Sequence, residues 1–225
     1  MEIILAENHG FCYGVKRAVE MADEAANSEG KSYTLGPIIH NPQVVGRLEN
    51  KGVSPIQEVA DIDEGTMIIR SHGVGPAIYA EAEEKGLHIL DATCPHVKKA
   101  QQDAKSVIED GMTLVILGEK NHPEVKSINL WANNKGIIIE DEESAEKLQI
   151  VEKMGVVVQT TFSQFKFNSI IEILEKKSKN LKIFKTICNA TQERQNSAVD
   201  LARNVDLMIV IGGKNSGNTN RLAEV

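Results

Sequence analysis

Short apolar runs alternate with longer amphipathic stretches along the whole of this 225-residue chain. Runs rich in Ile, Val and Leu at 3–6, 33–35, 66–70, 88–90, 113–117, 136–140, 155–159, 182–186 and 206–211 predict strands. Between them, 14–26, 42–50, 76–85, 95–110, 123–131, 142–148, 163–177 and 191–204 predict helices, several opened by a proline whose missing N–H is not needed in a first turn. The runs at 114–117 and 207–211 are continuously apolar, as in strands covered on both faces. Such an alternation implies an α/β fold of parallel sheets with helices packed on their faces.

A repeat runs through this pattern. Cys12, Cys94 and Cys188 are separated by 82 and 94 residues. Twenty-four residues beyond each stands a glycine (Gly36, Gly118, Gly212), and twenty-eight beyond each a polar residue (His40, His122, Ser216). The first two copies also share their wording, Cys12-Tyr-Gly-Val-Lys-Arg-Ala against Cys94-Pro-His-Val-Lys-Lys-Ala. A repeat with one thiol per copy predicts three small parallel-sheet α/β lobes in a pseudo-threefold arrangement, meeting at a sulfur-lined centre. The expected boundaries are 13–94, 95–187, and 188–225 together with 1–12. A second loop per copy follows a strand, Arg70-Ser-His-Gly73 in the first and Gln159-Thr-Thr161 in the second. Its third counterpart would fall past Val225, so the third lobe is expected to be incomplete at its C-terminal end.

Composition narrows the classes of function. No apolar run approaches the roughly 20 residues that span a bilayer, and the opening Met-Glu-Ile-Ile-Leu-Ala lacks a basic leader. A cytoplasmic protein away from membranes is expected, as a monomer or homodimer. Three distant cysteines disfavour a disulfide framework. The formal net charge is −7, the basic residues are dispersed, and only nine residues are aromatic, which argues against nucleic acid as partner. Small anions remain open, because imidazoles, hydroxyls and helix N-termini hold them without net positive charge.

The loops carry the candidate chemistry. A single free cysteine is ordinarily a core residue, but core residues have no reason to recur in phase with a repeat. Three converging thiolates suit an iron–sulfur cluster, or a zinc completed by His96 or His9. His40, His72 and His122 end strands and suit phosphate oxygens, while His88 reads as structural. Glu124, in the first turn after His122, matches the helix dipole and is also the one carboxylate of the polar ring, hence the natural proton donor. Thr160 and Thr161 either cap the next helix or aim a hydroxyl at substrate or Glu124. Gly212-Gly-Lys-Asn-Ser-Gly-Asn-Thr219, between strand and helix, suits phosphate without being a Walker A or dinucleotide loop.

Eight motifs in order carry a resemblance: Gly10-Phe-Cys-Tyr-Gly-Val15, Gly36-Pro-Ile-Ile-His-Asn-Pro42, Arg70-Ser-His-Gly73, Asp91-Ala-Thr-Cys-Pro95, Gly118-Glu-Lys-Asn-His-Pro-Glu124, Gln159-Thr-Thr161, Ile187-Cys-Asn-Ala-Thr-Gln192 and Lys214-Asn-Ser. Together they resemble the IspH/LytB family of 4-hydroxy-3-methylbut-2-enyl diphosphate reductases, which close the methylerythritol phosphate route to isoprenoids. The resemblance implies a trilobal fold around one [4Fe–4S] cluster held by Cys12, Cys94 and Cys188, with one iron open to the substrate hydroxyl. It implies reductive removal of that hydroxyl to isopentenyl and dimethylallyl diphosphate, with electrons from a ferredoxin or flavodoxin. Glu124 would supply the proton, with Thr160 in the relay. His40, His72, His122, Thr161, Ser216, Gly217 and Asn218 would hold the diphosphate. Where most members read Asn-Ser-Ser-Asn, this chain has Asn215-Ser-Gly-Asn218, leaving the Gly217 N–H as the donor at that position. A non-catalytic iron–sulfur or zinc redox sensor and a metal-dependent diphosphate hydrolase are the competing readings of the same loops.

Overall fold

The computed structural model describes residues 2–214 and 216–225. Met1, and Asn215 of the expected phosphate turn, lie outside the described residues.

The first unit runs α1 (Tyr13–Ala26), β1 (Ser32–Leu35), α2 (Pro42–Glu49), β2 (Val53–Ile56), a 3-10 turn (Val59–Asp61), β3 (Thr66–Ile69), α3 (Pro76–Glu84) and β4 (His88–Asp91). The second runs α4 (Pro95–Glu109), β5 (Thr113–Leu117), α5 (Pro123–Trp131), β6 (Ile137–Ile139), α6 (Glu142–Glu146), β7 (Val151–Val158), α7 (Gln164–Lys177) and β8 (Ser178–Phe184). Every strand pairing is parallel, and the two four-stranded sheets have the orders β2-β1-β3-β4 and β6-β5-β7-β8. Element for element these are the same topology, so the phase of the cysteines reflects a structural repeat.

Strand periodicity sorts the core. In β5, Val115 and Leu117 face α6 and α7 with Phe167, Ile170 and Leu174, while Leu114 and Ile116 face α4 and α5 with Ala104, Val107, Val125 and Ile128. In β3, Ile68 packs on Ala18, Ala22 and Leu48, and its neighbours Met67 and Ile69 pack on Val59 and Ala82. These side chains are buried, and each Val, Leu, Ile, Met or Phe among them contributes on the order of 1.5–3 kcal/mol by burial. A glycine permits one close approach: a Cβ on Gly155 would meet Val107 Cγ2 at 2.4 Å, so α4 lies almost directly on β7.

The sequence expectations differ from the structure in informative places. β2 went unpredicted because Val53-Ser-Pro-Ile56 carries a proline; it is an edge strand, where a missing N–H is tolerated. β7 and β8 begin four residues earlier than their apolar runs, in polar extensions joined by Lys179 and Glu152 at 2.9 Å. The strands expected at 3–6 and 206–211 are not strands. Among the described residues neither finds a parallel partner for its backbone N–H and C=O groups, and Ile3, Leu5, Leu207, Ile209 and Ile211 stand exposed. This part of the molecule instead consists of α8 (Asn189–Ala202) and α9 (Gly217–Glu224), packed together, with the N-terminal segment tied to α8 by Asn8 N–H on Ser197 Oγ (3.2 Å) and by Arg194 on the Gly10 carbonyl (3.3 Å). No described helix is long and apolar enough to cross a membrane.

The Gly155–Val107 contact yields a stability prediction. Gly155→Val overfills the α4–β7 interface and is expected to destabilise the fold by about 1–3 kcal/mol, read as a lower midpoint in urea denaturation with an unchanged slope.

Candidate active site

In an open parallel sheet, the loops that diverge from adjacent central strands leave a crevice at the carboxyl edge. Here those strands are β1 and β3 in one sheet and β5 and β7 in the other. His40 follows β1, His72 follows β3, His122 follows β5, and Thr160 and Thr161 follow β7.

The three histidines form one cluster. Ring centroids are 4.3 Å apart for His40–His72, 5.7 Å for His40–His122 and 5.5 Å for His72–His122. One ring nitrogen from each lies within 4.8 Å of the others. Burial first, then nearby positive charge, lowers all three pKa values: His40 beside Arg70, His72 well below the usual range beside His40, His122 and Arg70, and His122 to about 4 beside His40, Arg70 and Arg221. They are therefore neutral near pH 7. Glu124 N–H donates to His122 Nδ1 at 3.2 Å, so the ring proton sits on Nε2 and is free to serve as a donor.

Arg70 joins the cluster, a residue whose role the motif Arg70-Ser-His-Gly73 does not disclose. Its half-buried guanidinium has no ion pair among the described residues, and its Nε is buried without a hydrogen-bond partner. The residue reaches the histidines because Gly36, at φ +69°, leaves space: a Cβ there would meet Arg70 Nη1 at 2.5 Å. A fixed positive charge beside three neutral N–H donors favours an anion over a cation.

Beside this cluster stands the acid. Glu124 is 2% exposed, and its Oε1 and Oε2 accept from Thr160 N–H (2.6 Å) and Thr160 Oγ1 (2.8 Å). Burial raises its pKa to about 7, against the opposing pull of those two bonds. A carboxyl titrating near neutrality is a competent proton donor. Gln159, a second unassigned residue, is buried with both ends used: Oε1 accepts from Glu119 N–H and Nε2 donates to Thr161 Oγ1, each at 2.9 Å. The Thr161 hydroxyl hydrogen therefore stays available.

The third segment closes on the same place. A Cβ on Gly217 would stand 3.0 Å from Thr161 Oγ1 and 3.7 Å from His122 Nε2, so the start of α9 abuts the histidine cluster. Ser216 caps α9, its Oγ accepting from Thr219 N–H at 3.4 Å, and Asn218 lies half-buried in the first turn. Arg221, buried in α9, holds this end to the second unit through Glu119 at 2.8 Å.

Each cysteine is the residue capping a helix: Cys12 before α1, Cys94 before α4, Cys188 before α8. All three are free and half-buried. Cys94 Sγ packs so closely on the first turn of α1 that a Cβ on Gly14 would meet it at 2.6 Å. Burial raises the Cys94 and Cys188 thiols, against helix N–H donors, and the charges of Cys12 and Glu124 act on both. The sulfurs are thus neighbours, brought together at the N-termini of three helices. Three free thiols with no fourth in the chain are a donor set that fits three corners of a four-iron cluster. His9 and His96, the alternative fourth ligands, are exposed, and His9 Nδ1 lies against the Ala6 carbonyl at 2.7 Å.

The model of the LytB protein family matches residues 3–225. The 4-hydroxy-3-methylbut-2-enyl diphosphate reductase of Geobacter metallireducens is 51% identical over 225 residues, covering 100% of this chain and 80% of that protein. The enzyme of the same name from Caldanaerobacter subterraneus subsp. tengcongensis is 48% identical, with the same shares covered. Among solved structures, an (E)-4-hydroxy-3-methyl-but-2-enyl diphosphate reductase, described as the terminal enzyme of the non-mevalonate pathway, matches with TM-score 0.78 and 47% identity over 98% of this chain and 80% of its own. The Plasmodium falciparum E-1-hydroxy-2-methyl-but-2-enyl-4-diphosphate reductase matches with TM-score 0.92 and 31% identity over 97% of this chain and 70% of its own.

Two predictions follow from the electrostatics. Arg70→Met removes a positive charge that depresses the histidines, so the pKa values of His72 and His122 should rise toward the free-imidazole value in an NMR titration. Because the Glu124 pKa is raised on folding, its protonated form stabilises the fold below the unfolded value of 4.5, and that contribution is lost as pH rises through about 7. Glu124→Gln should therefore gain stability relative to the native chain between pH 5 and pH 8, measured by thermal unfolding.

Proposed function

Since this chain belongs to the LytB protein family, we propose that it is a 4-hydroxy-3-methylbut-2-enyl diphosphate reductase, an oxidoreductase of isoprenoid biosynthesis by the non-mevalonate route. The observation that carries this reading is the buried Glu124 carboxyl, protonatable near pH 7, set between an anion cluster of three histidines and a triad of free cysteines.

In this reading the substrate is a small allylic diphosphate. Its diphosphate lies among His40, His72 and His122, which donate as neutral imidazoles, with Arg70 as the fixed countercharge. Thr161, Ser216, the Gly217 N–H and Asn218 complete the cage from the second and third segments. The hydroxyl end then falls toward Glu124 and the cysteines.

Cys12, Cys94 and Cys188, each at a boundary between the segments 13–94, 95–187 and 188–225 with 1–12, would hold a [4Fe–4S] cluster. When bound, that cluster would supply two electrons one at a time and a Lewis-acidic iron for the allylic oxygen. The remaining work belongs to side chains. Hydroxide leaves poorly, so Glu124 delivers a proton to the departing oxygen, which leaves as water while the C–O bond breaks. Thr160 holds both carboxyl oxygens and thereby fixes the acid's direction. A second proton reaches the allylic carbon skeleton and gives isopentenyl or dimethylallyl diphosphate. Two electrons and two protons balance the loss of one water. The electrons come from a protein donor of the ferredoxin or flavodoxin type, in the cytoplasm. The exposure of His9 and His96 weighs against a zinc completed by either, and the Arg70 charge beside the histidines weighs against a cation-dependent hydrolase.

Anaerobic turnover of (E)-4-hydroxy-3-methylbut-2-enyl diphosphate with a viologen reductant is the test, and product formed only with reductant is expected. Glu124→Gln should retain its iron and lose about 10²–10⁴-fold in kcat. Release of inorganic phosphate without reductant would sink the proposal. The kcat of the native chain should fall by about tenfold per pH unit above the Glu124 pKa near 7, because the donor must carry its proton.

A further inference from the structure

The three cysteine turns differ at one informative position. Three residues beyond each sulfur, the first two turns carry Val15 and Val97, and the third carries Thr191. Valine and threonine share a branched shape, so the change amounts to one hydroxyl in place of a methyl. Like Val97, Thr191 is buried. Its Oγ1 lies 3.0 Å from Cys188 Sγ and 3.2 Å from the Thr160 carbonyl oxygen. That same carbonyl accepts Cys188 N–H at 3.0 Å, and Thr160 holds both oxygens of Glu124.

Counting hydrogens shows what the hydroxyl does. It has one hydrogen to give and two lone pairs to offer. While Cys188 is a thiol, its S–H donates to Oγ1 and Oγ1 donates to the Thr160 carbonyl. A sulfur bound to iron is a thiolate and has no hydrogen to give. The hydroxyl must then turn its own hydrogen to the sulfur, or two lone-pair-bearing atoms face each other at 3.0 Å. The Thr160 carbonyl can release it, because it keeps the Cys188 N–H. An O–H···S bond stabilises the extra negative charge that arrives with an electron, and hydrogen bonds to ligand sulfurs are among the levers that set cluster potentials. At Cys94 the corresponding help comes from the backbone of His96 and Val97 alone.

Resting on the cluster reading above, we infer that Thr191 is a positioning residue for the redox step: its hydroxyl donates to the Cys188 thiolate, makes that corner unlike the other two, and raises the potential at which the cluster takes up an electron. Nothing comparable is available to Val15 or Val97, so the asymmetry belongs to the third turn.

The experiment compares the native chain with Thr191→Val, Thr191→Ala and Thr191→Ser, each loaded with iron and sulfide, by EPR-monitored reductive titration with dithionite and parallel iron analysis. Val restores the residue of the other two turns, Ala removes bulk as well, and Ser keeps the hydroxyl. The expected result is a midpoint shifted to more negative potential in both Val and Ala variants, with Ser close to the native value. A packing role orders the variants by size instead, with Val nearest the native value; that order, or unchanged midpoints in Val and Ala, overturns the inference. A native chain that assembles no four-iron cluster sinks the proposed function and this inference with it. A loaded native chain with the wrong variant order sinks the inference alone.

Discussion

One backbone hydrogen bond, made twice, sets the spacing between the sulfurs and the ligand loops. Cys94 N–H donates to the Ser71 carbonyl and Cys188 N–H to the Thr160 carbonyl, both at 3.0 Å. Each carbonyl belongs to the residue two places beyond a central strand, β3 in the first sheet and β7 in the second. Each cysteine in turn starts the next helix, so its sulfur faces the free N–H groups of that helix's first turn. The sheet edge thereby positions a thiol and a ligand-binding loop as one unit, and the repeat brings two such units face to face.

Burial then divides the electrostatic labour. It acts on imidazole and carboxyl in opposite senses: it favours neutral His40, His72 and His122, and it favours protonated Glu124. Near pH 7 the same dry crevice holds hydrogen-bond donors for an anion on one side and an acid with its proton on the other. Arg70 supplies the charge that the neutral imidazoles cannot. Had it been paired with a carboxylate, the cluster would read as a cation site; without such a partner among the described residues, it reads as an anion site.

The repeat was legible in the sequence because both sources of its signal are local. Apolar runs mark strands whatever surrounds them, and Cys, Gly and His mark loop positions by count. The shared strand order of the two sheets accordingly matches the phase of Cys12 and Cys94. Legibility failed where pairing, not residue preference, decides. Val53-Ser-Pro-Ile56 is a strand because β1 offers it an edge, while 206–211 has a strand's composition and finds no neighbour. In the early parts of β7 and β8, Glu152, Lys153, Lys179 and Asn180 interrupt the apolar run, and these residues are strands through their mutual register.

At the site, the sequence by itself determined which chemistries were present: three thiols, three imidazoles, one acid and the hydroxyls, in an order that marks the family. Tertiary structure alone decided how they differ from one another. It clustered the imidazoles and placed the Arg70 charge against them through the opening at Gly36. It sealed Glu124 beneath Thr160 and joined Thr160 to Cys188 directly through the Cys188 N–H and indirectly through Thr191. The reason is physical. A residue's identity fixes which protons and lone pairs it brings, but its charge state and the direction of its bonds depend on desolvation and on neighbours remote in the chain. Thr191 shows both halves: its hydroxyl is visible in the sequence as a departure from Val15 and Val97, and only the fold puts a sulfur 3.0 Å away.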